Sequence, residues 1–248
     1  MKKIVSVVII AITLIACKEK SIKQEKKENN YPENLSKVFD VHGGLDKWNE
    51  LKLLSFKKGN EVHITDLHSR KSIITSENYS VGFDGRKAWL HQIDSTSFKG
   101  NKDFYYNLYF YFYAMPFVLA DTGIIYEETK PLVFEGTSYP GIKISYKANI
   151  GSSPDDNYYV YYNPETFKME WLQYSVTFFS KKVSSKVNTI RYNDWIAIDG
   201  FLMPKTLTWY KKDENGNISE PARSATIFTN QKVSTEKLDE RMFYEPKE

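Results

Sequence analysis

Residues Phe104 to Ala120 (FYYNLYFYFYAMPFVLA) restrict this chain more than any other stretch. Rings stand at 104–106, 109–113 and 117, and only Asn107 is strongly polar. Exposing so much ring surface to water is costly, so the run is buried or lines something apolar. Tyr105, Leu108, Tyr109 and Phe112 fall on one helical face, while Phe104, Tyr111 and Met115 fall elsewhere. Such a helix is apolar nearly all round and is covered on more than one side. Pro116 ends or kinks it near Ala114, with a short second helix up to Asp121.

The flanks read as β-structure. An amphipathic helix comes first, with Leu35, Val38, Phe39 and His42 at helical spacing and Gly43-Gly44 at its end. A second short helix places Leu45, Trp48 and Leu51 on one side. Leu53–Ile64 and Arg70–Tyr79 are extended, and Phe83-Asp84-Gly85-Arg86 is a hairpin turn before a strand centred on Trp89. Beyond the insert, strands are expected at Leu132–Glu135, Gly141–Ala148, Tyr158–Tyr162, Met169–Phe179, Val187–Ile198, Met203–Tyr210 and Ala222–Val233. Turn residues separate several of them, as at Asn163-Pro164, Asp199-Gly200 and Asp213–Asn217. Short strands in sequential order predict an antiparallel meander. The fold class is therefore mostly β with α (α+β): a curved antiparallel sheet or half-barrel, with an N-terminal helix and a helical insert packed on its concave face.

The first residues point to a compartment. Met1-Lys2-Lys3 is a basic start, and Ile4 to Ala16 is an apolar stretch too short to span a bilayer, so residues 1–16 read as a signal peptide. Leu14-Ile15-Ala16-Cys17 resembles the lipobox of bacterial lipoproteins. That resemblance implies cleavage before Cys17 and acylation of Cys17, which would anchor the protein to membrane lipid. Each buried methylene adds roughly 0.8 kcal/mol, so several chains hold where one does not. Residues 17–30 read as the lipidated Cys and a charged, disordered tether, and 31–248 as a single domain. Lys18 after the Cys favours the outer membrane by resemblance to lipoprotein sorting rules; which side is occupied stays open. Cys17 is the only cysteine, so an intramolecular disulfide is excluded and stability must come from a core. The formal charge of +3 divides into +4 on the first thirty residues and −1 on residues 31–248, poor support for a nucleic-acid partner.

Two resemblances follow from the motif order. The Phe83-Asp84-Gly85 hairpin, the apolar insert, the Tyr162-Asn163-Pro164-Glu165-Thr166-Phe167 turn and the Asp199-Gly200-Phe201-Leu202-Met203-Pro204-Lys205 strand entry resemble the LolA/LolB-type lipoprotein carriers over residues 33–235. Those carriers imply a half-barrel plugged by helices over an apolar cavity. More closely, His42-Gly43-Gly44 with Trp48, the run from Asn107 to Asp121, Tyr139–Tyr146 and Arg191–Trp195 resemble an uncharacterised family of bacterial envelope lipoproteins. That family brings no catalytic residues to carry over.

Catalytic patterns are absent: no G-x-S-x-G, H-E-x-x-H, P-loop or G-x-G-x-x-G. His63 and His68 are poorly spaced for a shared metal, His91 and Asp94 lack a nearby nucleophile, and Asp155-Asp156-Asn157 reads as a solvated turn. No cofactor, metal or catalytic residue is expected. The ligand-binding expectation rests on Tyr109, Phe112, Met115 and Phe117 of the insert with Trp89 and Trp209 of the sheet, as the lining of an apolar cavity for a lipid-like ligand. Solid core is the plainer alternative for the same rings. A non-catalytic scaffold docking an unidentified protein partner through its sheet is the competing function, and an enzyme the least supported.

Overall fold

Strand order explains why an apolar helix must cross the middle of this protein. The computed structural model describes residues 31–147, 156–180, 182 and 186–247. Cys17, the signal and tether segments and most of the Gly151–Asp156 loop lie outside the described residues. Chain order begins with α1 (Glu33–Val41) and α2 (Leu45–Glu50). Five strands follow: β1 (Leu53–Lys58), β2 (Glu61–Asp66), β3 (Ser72–Thr75), β4 (Tyr79–Phe83) and β5 (Ala88–Gln92). Then come α3 (Lys102–Tyr113) and a 3-10 turn at Phe117–Ala120. The second half holds β6 (Ile124–Phe134), β7 (Thr137–Tyr146), β8 (Tyr158–Tyr162), β9 (Met169–Tyr174), β10 (Asn188–Ile198) and β11 (Phe201–Lys212). It ends with β12 (Ile218–Pro221), β13 (Thr226–Ser234) and a 3-10 turn at Glu240–Phe243.

Among the described residues these strands form one open antiparallel sheet, ordered β5-β4-β3-β2-β1-β13-β11-β10-β9-β8-β7-β6, with β12 beside β11. Two meanders are joined by β13, which pairs β1 on one side and β11 on the other. The sequential strands β5 and β6 are thus the two outer edges, and the chain between them carries α3 across one face. β4 and β9 stand seven strand spacings apart, roughly 34 Å in a flat sheet, whereas twelve helical residues span about 18 Å. Yet Tyr106 stacks on Phe83 of β4 at 4.5 Å, and Phe112 lies 5.1 Å from Tyr174 of β9. One short helix touches both because the sheet bends around it.

The main core lies on this concave face. Leu35, Val38 and Phe39 of α1 and Trp48 of α2 join Phe110, Phe112 and Tyr113 of α3. The sheet adds Phe56, Ile144, Leu172, Ile190, Leu207 and Phe228. Each such side chain taken fully from water contributes about 1.5–3 kcal/mol. A second cluster lies on the reverse face, where Trp171 packs with Phe134 at 4.9 Å and Tyr210 at 5.2 Å. Adjacent Trp171 and Leu172 are both fully buried, so β9 is covered on both faces. Residues 31–248 form one compact unit that supplies every residue of both clusters.

Helix positions agree with the sequence expectations, and most turns do. The stretch expected as one strand at Leu53–Ile64 is instead a hairpin, turned by Gly59-Asn60 with Gly59 at φ +59°. β6 begins at Ile124 rather than Leu132: it is an edge strand whose Glu127, Glu128 and Lys130 break the apolar alternation. β12 was not expected at all.

Tyr113 closes the helix inside the core, stacked on Phe56 at 4.2 Å. Its hydroxyl is buried and has no hydrogen-bond partner among the described residues. A desolvated hydroxyl without a partner opposes folding. Tyr113→Phe is therefore expected to raise the unfolding free energy by about 1 kcal/mol. A higher urea midpoint at unchanged slope would show it; a lower midpoint would reveal a partner for the hydroxyl.

Candidate functional site

The first half of α3 is half-buried where the second half is core, and the difference marks a cleft. Its helix starts at Asn101, whose side chain accepts from the amides of Asp103 and Phe104. Phe104 to Tyr109 are all partly exposed, whereas Phe112 and Tyr113 are buried. Between this half-helix and the ends of β7, β8 and β9 lies a cleft of about 630 Å³. Phe104, Asn107, Leu108, Tyr111 and Phe112 form its helical wall. Tyr146, Tyr158 and Tyr174 form the sheet wall, and Ser175, Val176 and Phe178 continue it beyond β9. The rings interlock: Tyr146 and Tyr158 are 6.0 Å apart, Tyr158 and Tyr174 6.3 Å, and Phe104 and Phe178 5.2 Å.

Arg70, Asp121 and Thr122 also line it. Arg70 Nη2 donates to Asp121 Oδ1 at 2.6 Å, and the guanidinium lies over the Phe110 ring at 5.0 Å. Burial raises the Asp121 pKa, with Arg70 opposing the rise. Burial likewise raises the pKa values of Tyr111, Tyr146, Tyr158 and Tyr174, so these phenols stay protonated at neutral pH. Asp156 is buried in the wall and accepts the Thr177 amide at 2.7 Å. The cleft thus offers ring surface, hydroxyl donors and one tied ion pair, an arrangement suited to holding an amphipathic molecule.

A family model described as a family of unknown function, DUF6503, matches residues 91–219. The chain belongs to this family. The DUF6503 stretch contains α3 and β6 to β11, and so most of the cleft wall. The resemblance to an uncharacterised family noted from the motifs is borne out. No curated protein matches the chain. It is similar to a solved LolA superfamily protein from Nitrosomonas europaea, with 9% identity, TM-score 0.42, and 86% of this chain and 96% of that one covered. It is also similar to a DUF1329 family protein from Desulfovibrio piger, with 9% identity, TM-score 0.44, and 86% and 98% covered.

The six residues proposed from sequence are distributed differently around the fold. Phe112 lines the cleft, and Trp209 sits behind it, 5.7 Å from Phe112 and donating to the Tyr174 hydroxyl at 3.1 Å. Tyr109 faces the opposite flank, with Lys58 Nζ 4.4 Å from its ring centre. Met115 is core, and Phe117 stacks on Trp48 at 4.2 Å beside a cavity of about 150 Å³. Trp89 is on the other face of the sheet. Its neighbours Phe83 and Ala88 contact α3, so strand alternation points Trp89 away, and its indole donates to the Phe243 carbonyl at 2.8 Å. A Cβ on Gly82 would come within 2.2 Å of that indole, which is why the position opposite Trp89 is glycine. The cleft residues missed had one helical signal, Phe104, Leu108 and Tyr111 at i, i+4 and i+7, the second face of an all-round apolar helix. Nothing in the sequence pointed to Arg70.

On the Tyr109 flank lies a polar centre that the sequence also concealed. Glu61, at the start of β2, is 4% exposed. Its carboxylate accepts from Lys58 Nζ at 2.5 Å, from the Tyr105 hydroxyl at 2.8 Å, from the Tyr79 hydroxyl, and from His63 Nε2 at 3.2 Å. Burial pushes its pKa up, but the bonds from His63, Lys58 and Tyr79 outweigh this and hold it at about 2. His63 is buried, with burial lowering its pKa against the pull of Glu61. His68 instead contacts the Asn49 carbonyl, so the two histidines are not gathered. His91 is exposed, and Asp94 accepts from Thr96 and Ser97. Among the described residues no group of three His, Cys, Asp or Glu could hold a metal.

Proposed function

We propose that this chain is an envelope lipoprotein, held at the outer membrane through acylated Cys17, whose domain binds a hydrophobic, lipid-like molecule in the cleft between α3 and β7–β9. The observation carrying this reading is the size and lining of that cleft: about 630 Å³, walled by Leu108, Tyr111, Phe112, Tyr158 and Tyr174. Sites for small ligands fall in the range of roughly 300–1,000 Å³ and are mainly apolar. A scaffold docking a partner through its sheet would have no use for a ring-lined hollow beneath its helix. Protonated phenols and a paired Arg70–Asp121 suit retention rather than turnover, so we read the protein as a binder and not an enzyme.

The test uses residues 31–248, which carry both core clusters. Native mass spectrometry is expected to find lipid-sized mass on the purified domain, and fatty acids are expected to displace a hydrophobic dye saturably. Leu108→Trp fills the cleft from a half-exposed position and should weaken displacement at least tenfold, about 1.4 kcal/mol. An unliganded mass together with no displacement by fatty acids would overturn the reading.

A further inference from the structure

We infer that the rim of the cleft at Phe178 and Phe179 is a membrane-docking surface for a leaflet containing anionic lipid, so that the mouth of the cleft opens towards lipid. This goes beyond the binding reading above, and vesicles test it apart from the ligand.

Three rings meet at this rim. Phe104 of α3 lies 5.2 Å from Phe178 and 5.0 Å from Phe179, and the two neighbours are 5.1 Å apart. Phe104 and Phe178 line the cleft. Phe179 lies outside the lining and is 65% exposed; no phenylalanine, tyrosine or tryptophan among the described residues is more so. The segment beneath it is firmly held. Ser175 and Thr177 are buried, the Thr177 amide donates to Asp156 at 2.7 Å, and Ser175 and Asn157 exchange two bonds at 3.0 and 2.9 Å. The turn at 178–180 thus presents Phe179 to water as a fixed feature of the surface. Water is the costly place for such a ring, and an apolar phase covering it removes the cost.

Charge names the covering surface. Residues 99–104 and 178–186 carry five lysines and one aspartate, a net +4, in a domain whose residues 31–248 total −1. Lys99, Lys182 and Lys186 are exposed, while the lone Asp103 is tied to Lys102 at 3.2 Å. Rings flanked by lysines suit a lipid leaflet: the rings enter the interface, and the ammonium groups meet anionic head groups. A purely apolar partner would leave that charge unanswered. The proposed anchor is compatible with this face. Tyr31, where the domain begins, donates its hydroxyl to the Ala120 carbonyl at 3.3 Å, and Ala120 lines the cleft. The chain from Cys17 to Tyr31 reaches at most about 50 Å, so a domain held by Cys17 keeps the cleft within reach of its membrane.

The experiment uses residues 31–248, which lack Cys17 and so contain no cysteine. Sedimentation with vesicles of equal parts phosphatidylcholine and phosphatidylglycerol is expected to show binding about tenfold tighter than with phosphatidylcholine alone, weakening as salt is raised. Phe179→Ser and Lys182→Glu should each weaken that binding about fivefold, while leaving displacement of a hydrophobic dye by fatty acids unchanged. A polarity-sensitive fluorophore on Phe179→Cys should shift to the blue with these vesicles. The same fluorophore on exposed Thr137→Cys, about 30 Å along β7 from Tyr146, should not. No vesicle binding, equal binding to both kinds of vesicle, binding untouched by the two variants, or equal shifts at 179 and 137 would overturn the inference. So would a loss of dye displacement in Phe179→Ser, which would put that ring in the ligand site. Vesicle binding as expected, with no displacement of the dye by fatty acids, would instead remove the binding reading and leave the docking surface standing.

Discussion

Replacing Glu61 with alanine is expected to lower the unfolding free energy by about 3–5 kcal/mol, the usual cost of removing one member of a buried charged network. Four donors converge on this carboxylate from three places: Lys58 and His63 flanking it on the β1–β2 hairpin, Tyr79 on β4, and Tyr105 on α3. Alanine would leave the Lys58 ammonium, the buried His63 and the half-buried Tyr79 and Tyr105 hydroxyls without their shared acceptor. The Tyr105 bond also ties the half-exposed end of α3 to the sheet, so the cleft wall should loosen with it. A urea midpoint that falls at unchanged slope would measure the loss. A change under 1 kcal/mol would mean that water replaces the carboxylate at little cost.

The same group makes a pH prediction with a definite sign. The pKa of Glu61 is held at about 2 in the folded protein, below the ordinary 4.5. A depressed carboxylate stabilises the fold fully above its unfolded pKa and loses that contribution as pH falls towards the folded one. The stability difference between the native protein and Glu61→Gln should therefore shrink between about pH 4.5 and about pH 2. Exposed aspartates such as Asp84 and Asp94 titrate in both proteins and cancel in that difference.

His42→Ala is the second large effect, expected at about 2–4 kcal/mol. His42 ends α1 and is fully buried, with Trp195 packed edge-on at 4.3 Å. Its Nε2 accepts the Met169 amide at 3.1 Å, which leaves Nδ1–H to donate to the Leu202 carbonyl at 3.1 Å. One ring thereby joins the N-terminal helix to β9 and β11. Alanine opens a cavity and strands two buried backbone groups. Burial, only partly opposed by the bond to Leu202, lowers the His42 pKa to about 4 from 6.5. The unfolded chain takes up the proton first, so stability is lost as pH falls from about 6.5 to about 4, and the variant should lack that slope. A pH slope identical in both proteins would show that His42 is not the group titrating.

These two centres illustrate what a linear reading reaches. His42 was legible as the end of a helix, because Leu35, Val38 and Phe39 set the period and Gly43-Gly44 the stop. Its two bonds were not, since their partners lie 127 and 160 residues away. Glu61 looked like one more charged residue in an extended stretch. A one-residue difference in where the chain turns, at Gly59-Asn60, decides that it faces inward.

Local chemistry written in the sequence determined the elements themselves: the apolar insert ended by Pro116, the amphipathic first helix, alternating strands and most turns. Period and turn propensity act over a few residues and need no partner to be read. Only the tertiary structure decided that β13 joins two meanders, which puts β5 and β6 at opposite edges and sends α3 across a bent sheet. It also decided which side of that helix meets Phe56 and Phe228 and which faces the cleft, and it carried Trp89 to the far face. An all-round apolar helix has no preferred face of its own, so the choice between core and cavity belongs to whatever packs against it.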